Sequence, residues 1–340
     1  MLRALKQRPF IEISLVLAVL SGLFFYLPKL LASTTSSFSL DHLTTFATIF
    51  LGIFIEAAPF LFLGTLASGL VEVYLDRDKM VAFMPKQVIL SALVGSLLGI
   101  FIPVCDCGVI PLTRRLFRKG FPIPAGIAFL LSAPILNPIV IFSTATAFGW
   151  GRVLFLRIGL CITIAILTGL IFSAVKTPWD ILQPTAWITA QDVTQELPEN
   201  SGLFLDKLRQ AFLIATDEFF EIGRYLIIGS MIAAGLQTFI PQSTLLAIGN
   251  GPLTSVLVMV ALAVILSICS TVDSFVALGF ASTFSPGSIV AFLVFGPMVD
   301  IKTTIMMLRV FRKRTVAYLI ILPLLMSILA GLIINFYLPG

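Results

Sequence analysis

Two thiols separated by one carboxylate, Cys105-Asp106-Cys107, are the residues of this 340-residue chain whose types and spacing can do the most chemistry. They lie within Pro103-Val104-Cys105-Asp106-Cys107-Gly108-Val109-Ile110-Pro111, inside an apolar block. Prolines and a glycine around a polar triplet break a helix, because proline removes a donor and blocks the preceding turn. Thiols at i and i+2 point apart on a helix but converge when the chain loops. The segment from Val109 toward Lys119 would aim its amino terminus at Cys107, where partial positive charge favours thiolates and bound anions. A carboxylate between two cysteines in apolar surroundings is costly without a role. Cys105, Asp106 and Cys107 are therefore expected to bind substrate, with Cys105 and Cys107 as ligands for a soft metal or metalloid; the alternative is a structural kink with inert thiols.

Four further groups invite the same question. Cys269 precedes Ser270, Thr271, Asp273 and Ser274 in a second polar interruption. Carboxylates inside membranes mark proton or ion pathways, so Asp273 is expected to be a coupling carboxylate, the alternative being a hydroxyl-capped helix start. Asn137 stands between Pro134 and Pro138, and Asp300 follows Gly296-Pro297 with Lys302 close behind. Broken helices offer free backbone groups beside such side chains, so Asn137 and Asp300 are expected at the substrate site, unless Asp300 is simply paired with Lys302. Glu56 and Glu221 occupy matching places in two spans; Glu56 is a second candidate for coupling, whereas Arg224 is placed to neutralise Glu221 on one helical face. The run Arg114, Arg115, Arg118, Lys119 reads as a cytoplasmic anchor for anionic lipid.

Composition decides what must position these residues. Hydrophobic residues make up 58% of the chain and charged residues 11%, against about 25% charged in soluble domains, so an ordinary soluble enzyme is excluded. Apolar blocks of spanning length recur without strand-like alternation, which selects helices over a barrel. The four cysteines are too few for a disulfide framework, and His42, the single histidine, cannot build a zinc site alone. With no phosphate-binding G-x-x-x-x-G-K-[ST] loop, transport would be secondary or passive. No cofactor, nucleic-acid partner or enzymatic activity is expected; the expected partners are a small-molecule or ion substrate and the lipid bilayer.

The blocks divide into two similar halves. Phe54-Ile55-Glu56 with Gly64 matches Phe219-Phe220-Glu221 with Gly229, and Ala133-Pro134 with Asn137 matches Gly296-Pro297 with Asp300. The expected organisation is an amino-terminal span and loop (1–42), with the span from Ile11 to Leu27, a first repeat (43–175), a polar cytoplasmic linker (176–218) and a second repeat (219–340). If all nine apolar blocks cross the membrane, basic residues distribute almost evenly between the two sides. If the blocks broken at Cys105-Asp106-Cys107 and at Cys269–Asp273 are re-entrant hairpins, 17 of the 22 lysines and arginines fall on one side. Lys29 and Arg152 fall on the other, and Arg157, Arg224 and Lys302 stay within apolar blocks. That asymmetry marks the cytoplasmic side. The expected fold class is thus an all-α polytopic membrane protein with about seven full spans plus two re-entrant broken hairpins, in eight or nine apolar blocks. An odd number of crossings per half makes the two repeats inverted after the extra amino-terminal span.

Through Cys105-Asp106-Cys107-Gly108, Ser132-Ala133-Pro134-Ile135-Leu136-Asn137-Pro138 and Ser270-Thr271-Val272-Asp273-Ser274, the chain resembles the predicted permeases of the ArsP and YraQ type, from about Phe54 to Leu338. That family includes exporters of trivalent organoarsenicals, and the resemblance implies a polytopic inner-membrane permease. Asp106 stands where relatives often carry a small polar residue. The expected function is secondary efflux of a small soft or thiol-reactive solute, such as a trivalent arsenical or soft metal ion, through a midplane site, from a plasma-membrane protein with a cytoplasmic amino terminus. A permease for a small anion is the alternative, and a membrane thiol oxidoreductase cycling Cys105 and Cys107 is the third reading.

Overall fold

The computed structural model describes residues 37–75, 84–85, 87–175, 177, 180–184, 204–239 and 251–337. The expected span from Ile11 to Leu27 and the centre of the polar linker, 185–203, lie outside the described residues. The described residues are helical without a strand; the single β-bridge pairs Leu182 with Phe311. In chain order the helices are α1 (Ser37–Tyr74), α2 (Val88–Phe101), α3 (Val109–Arg118), α4 (Ile123–Leu136), α5 (Pro138–Phe148), α6 (Arg152–Phe172), α7 (Phe204–Phe239), α8 (Pro252–Leu266), α9 (Asp273–Phe280), α10 (Pro286–Met298), α11 (Ile301–Val310) and α12 (Lys313–Tyr337). Five stretches are long and apolar enough to cross a membrane: α1 from His42, α6, α7 from Lys207, α10 with α11, and α12. Counting α4 with α5, bent by 43°, as one span gives six. The apolar helices α2 and α8 are shorter.

Local chemistry sets the interruptions. Pro138 pushes the residue before it out of the helical region, so Asn137 is extended (φ −59°, ψ 128°) and the chain restarts as α5 with proline in its first turn. In the second half Val299 and Asp300 are extended, and Asp300 restarts α11 through a capping box: Thr303 N–H donates to Asp300 Oδ1 (2.7 Å), and Asp300 N–H donates to Thr303 Oγ1 (3.0 Å). The break after α2 carries Pro103 and Gly108, with Pro111 tolerated in the first turn of α3. The break after α8 begins at Ser267, a buried residue in the left-handed region (φ 46°).

Helix contacts then give direction. Gly95 and Gly99 of α2 meet Ala125 and Ala133 of α4, so α2 and α4 run parallel, and α3 is the return arm between them. The second half repeats the device: Ser255 near the start of α8 meets Ser285 (2.9 Å), and Ala263 meets Gly296, so α8 is parallel to α10 and α9 brings the chain back to its starting level. Gly64 and Glu72 of α1 lie beside Gly108 and Arg115, making α1 parallel to α3. Gly69 and Phe62 of α1 meet Ala211 and Phe219 of α7, so these two are antiparallel. Gly229 and Glu221 of α7 meet Lys302 and Arg309, so α11 runs with α1 and α3. The loops after α3 and α11 consequently share one end, where Phe117 and Phe311 stack edge to face (6.4 Å).

One expected boundary needs correction. The linker was expected to reach residue 218, but α7 starts at Phe204. Ala211, Ile214 and Ala215 are buried there, and Glu218 is drawn into ion pairs with Arg114 and Arg115.

A Cβ on Gly95 would collide with the backbone of Ala125, whereas one on Gly159 would meet nothing within 4 Å. Gly95→Ala should therefore cost about 1–3 kcal/mol by overpacking, and Gly159→Ala should be neutral or gain up to about 1 kcal/mol of helix propensity. Unfolding midpoints of the two variants in detergent check this; equal midpoints would refute the close α2–α4 approach.

Candidate functional site

The two breaks meet. Cys105, Asp106 and Cys107 from the first and Cys269 from the second line one cleft with Lys302 of α11 and Ile53, Glu56, Ala57 and Phe60 of α1. The cleft is narrow and leaves no room for a water molecule. Its first wall is a turn: the Gly108 N–H points to Cys105 Sγ (3.3 Å) and the Val109 N–H to the Cys105 carbonyl (3.0 Å). Gly108 packs against Gly64 of α1 so closely that a side chain at either position would strike backbone. At the second wall the Cys269 carbonyl accepts from the N–H groups of Val272 and Asp273 (3.0 and 3.1 Å), which turns the chain into α9.

Lys302 is the charge at the centre, and it is 2% exposed. Its ammonium lies 3.1 Å from Asp106 Oδ2 and 3.2 Å from Asp300 Oδ2, and donates to the Ser267 carbonyl (2.9 Å). The left-handed turn at Ser267 aims that carbonyl, while the Ser267 hydroxyl accepts from the N–H of Ile301 (3.2 Å). One cation thus joins a carboxylate of the first half to one of the second. Leaving either carboxylate unpaired in so dry a place would cost about 3–5 kcal/mol. Glu56 Oε1 is buried in the same cleft without a hydrogen-bond partner. Asp106 and Asp300 thus pair with a single ammonium, and Glu56 lines the same cleft as Lys302.

The other expected site residues lie apart from this cleft. Asn137 is buried at the break between α4 and α5 and caps α5, its Oδ1 accepting from the Ile139 N–H (3.0 Å). Asp273 is fully engaged by Arg157 of α6: Nη1 to Oδ1 at 3.1 Å and Nη2 to Oδ2 at 2.5 Å. The same guanidinium reaches Thr144 Oγ1 (2.8 Å) and Ser274 Oγ (2.7 Å), and Ser143 Oγ donates to the Thr271 carbonyl (2.5 Å). Asp300 is paired with Lys302, yet through Lys302 it belongs to the cleft's charge balance. Arg157 stands in the sequence only as a charge within an apolar block, and Lys302 as that and as a candidate partner of Asp300, a pair that forms (3.2 Å). That placement is itself the signal, because a cation at such depth needs a buried partner.

Two expectations are corrected at the end shared by α3 and α11. Glu221 is neutralised by Arg114 (3.1 Å) and Arg309 (3.1 Å), not by Arg224. Arg114 and Arg115 are buried rather than lipid-facing: Arg114 pairs with Glu218 (2.7 Å), and Arg115 with Glu218 (2.9 Å) and Glu72 (3.3 Å). Lys119 donates to the carbonyls of Glu72 and Leu75 at the end of α1 (2.5 and 2.6 Å). The helix ends had free carbonyls and buried carboxylates to satisfy, and these took the cations before lipid could.

All four cysteines are free thiols. Among the described residues, no group of three or more His, Cys, Asp or Glu side chains is arranged to hold a metal ion. The cleft therefore offers thiols, carboxylates and one ammonium to a small solute without a preformed metal cage.

Residues 42–336 match the ArsP_1 family, described as predicted permeases. The chain is 46% identical over 286 residues to the UPF0718 protein YcgR of Bacillus subtilis, covering 84% of this chain and 94% of the relative. It is 40% identical over 268 residues to a Streptococcus mutans protein named a putative two-component membrane permease complex subunit, covering 78% and 87%. A Methanocaldococcus jannaschii protein, UPF0718 protein MJ0584, is 34% identical over 86 residues, 25% of this chain and 23% of its own. No solved structure matches the chain. With nearly the whole described helical array inside the matched range, this multi-pass membrane protein belongs to the ArsP_1 family of predicted permeases.

Proposed function

We propose that this chain is a secondary permease, not an enzyme, that moves a small soft or thiol-reactive solute out of the cytoplasm through the cleft where the two broken hairpins meet. A trivalent arsenical or a soft metal ion fits that description. One observation carries the reading: the thiols of Cys105, Cys107 and Cys269, from segments more than 160 residues apart in sequence, line a single cleft. Thiolates select soft metals and metalloids. The anion alternative is disfavoured because Glu56 and Asp106 line the cleft against Lys302 alone, and Asp300 pairs with that same ammonium.

We further propose that the halves are inverted repeats and that α2–α3 and α8–α9 are re-entrant hairpins entering from opposite membrane faces. In support, α9 begins 164 residues after α3 (273 against 109), α11 begins 163 after α5 (301 against 138), and α1 and α7 run antiparallel. The expected site is amended in one respect. Asp273 is held by Arg157, so we assign coupling to Glu56, whose carboxylate lines the cleft with one oxygen unpartnered.

Affinity for a trivalent arylarsenical, measured on purified protein at fixed pH, should fall by an order of magnitude or more in Cys105→Ser and Cys107→Ser and less in Cys269→Ser, because oxygen replaces a soft thiolate poorly. Near-native affinity in both of the first two would end the thiol reading, and inorganic phosphate binding that survives all three would favour the anion permease.

Glu56→Gln should retain that affinity but lose proton-gradient-driven flux in proteoliposomes; unchanged flux would remove Glu56 from coupling. In a cysteine-free background, cysteines placed at Gly120 and Arg312 should react with an impermeant reagent from the cytoplasmic face only, in keeping with the basic residues gathered there. Reaction of the Gly120 position from outside would end the inverted arrangement.

A further inference from the structure

Two buried ion-pair clusters lie outside the cleft, and neither contributes a residue to its lining. Each ties the return arm of one hairpin to the opposite half of the chain. On α3, Arg114 and Arg115, 1% and 3% exposed, are held by Glu218 and Glu221 of α7, with Glu72 of α1 adding to Arg115. On α9, Asp273, 3% exposed, is held by Arg157 of α6, which also reaches Ser274 and is steadied by Thr144 of α5. The chemistry is reversed between the two: the first arm carries the cations and the second carries the anion.

Their placement brackets the cleft. Glu72 lies four turns beyond Glu56 on α1, toward the end shared by α3 and α11, and Arg114 lies seven residues beyond Cys107 in the same direction. Asp273 lies four residues beyond Cys269 on the arm that returns to the other end of the helix array. With both clusters formed, the cleft between them has no space for a water molecule. Buried ion pairs are poor sources of net stability, since well-packed apolar residues of similar size often do as well or better. Their geometry suits an element with two arrangements, because a desolvated pair is held firmly or parted altogether.

Resting on the permease reading above, we propose that these clusters are the two gates of the transport cycle: the Arg114–Arg115–Glu218–Glu221 clamp closes the cleft toward the end shared by the loops after α3 and α11, and the Arg157–Asp273 clamp closes it toward the opposite face. The structure is the occluded state in which both are shut. Opening to one face parts one return arm from the other half while the second clamp holds. Lys302, joining Asp106 to Asp300 between the gates, keeps the tips in register throughout.

The cleft thiols themselves report the gates, so the experiment needs no knowledge of the solute. In a Cys161→Ser background, the rate of modification of Cys105, Cys107 and Cys269 by an impermeant methanethiosulfonate is measured in right-side-out and inside-out vesicles. Arg157→Gln should raise the rate severalfold from the face of the α9 arm alone. Glu218→Gln should raise it from the basic face alone. Exchanging the charges, Arg157→Asp with Asp273→Arg, should bring the rate back toward that of the parent. If Arg157→Gln does not yield monodisperse protein, Thr144→Val with Ser274→Ala keeps both charges while removing two hydroxyls bound to the guanidinium, and should raise the rate on the same face to a smaller extent. Equal increases from both faces, no change in folded variants, or no recovery on charge exchange would overturn the gates. Loss of arsenical binding specificity with face-selective labelling intact would sink the soft-solute reading and leave the gates standing.

Discussion

The buried ammonium of Lys302 is the interaction on which the centre of the molecule depends. Asp106 and Asp300 come from different halves, one from the break between α2 and α3 and the other from the break between α10 and α11, and both are buried against the same ammonium. Two carboxylates cannot share such a space without a cation between them. The ammonium is compact and donates three hydrogen bonds, and the third goes to Ser267, whose left-handed backbone turns its carbonyl to receive it. The break after α8 is thus shaped around the lysine rather than by proline, and the residues on either side of it, up to Cys269, take their positions from that anchor.

Close backbone approach is the second constraint. Gly64 against Gly108 brings the unwound tip of the first break up to α1 with no side chain between them, and Gly229 against Lys302 and Gly95 against Ala125 bring helix backbones as close. Unwound backbone at membrane depth survives only when protein covers it, and these glycines allow the cover to come close enough. The same approach puts α1 against the first hairpin tip, which is how Glu56, from a plain apolar helix, comes to face three thiols contributed by two other segments.

Charges buried this deeply have mutual geometry in place of solvation. Arg157 makes a two-pronged pair with Asp273, and Arg114 bridges two glutamates one turn apart on α7. A planar guanidinium suits such bidentate arrangements. Every one of these links crosses from one half of the chain to the other. The halves are therefore held together by a few specific polar contacts set into an apolar interface, which is compatible with relative movement in a way that a continuous interlocked apolar seam is not.

Much was legible in the one-dimensional chain. Membrane residence and helical class follow from apolar block lengths without strand-like alternation, and the helix breaks after α2 and α8 from the prolines and polar residues set into those blocks, because these are local properties that act wherever the chain goes. The share of Lys302 in the cleft, the capture of Asp273 by Arg157 and the burial of Arg114 and Arg115 were not legible. An isolated sequence marks a charge in an apolar block as needing a partner, yet Glu218 lies 104 residues from Arg114 and Lys302 196 residues from Asp106, and helix periodicity carries no information about which distant helix will face it. Only tertiary packing decides which carboxylate meets which cation. In this protein that choice puts Asp106 and Glu56 in the cleft lining, gives Asp300 to Lys302 and gives Asp273 to Arg157.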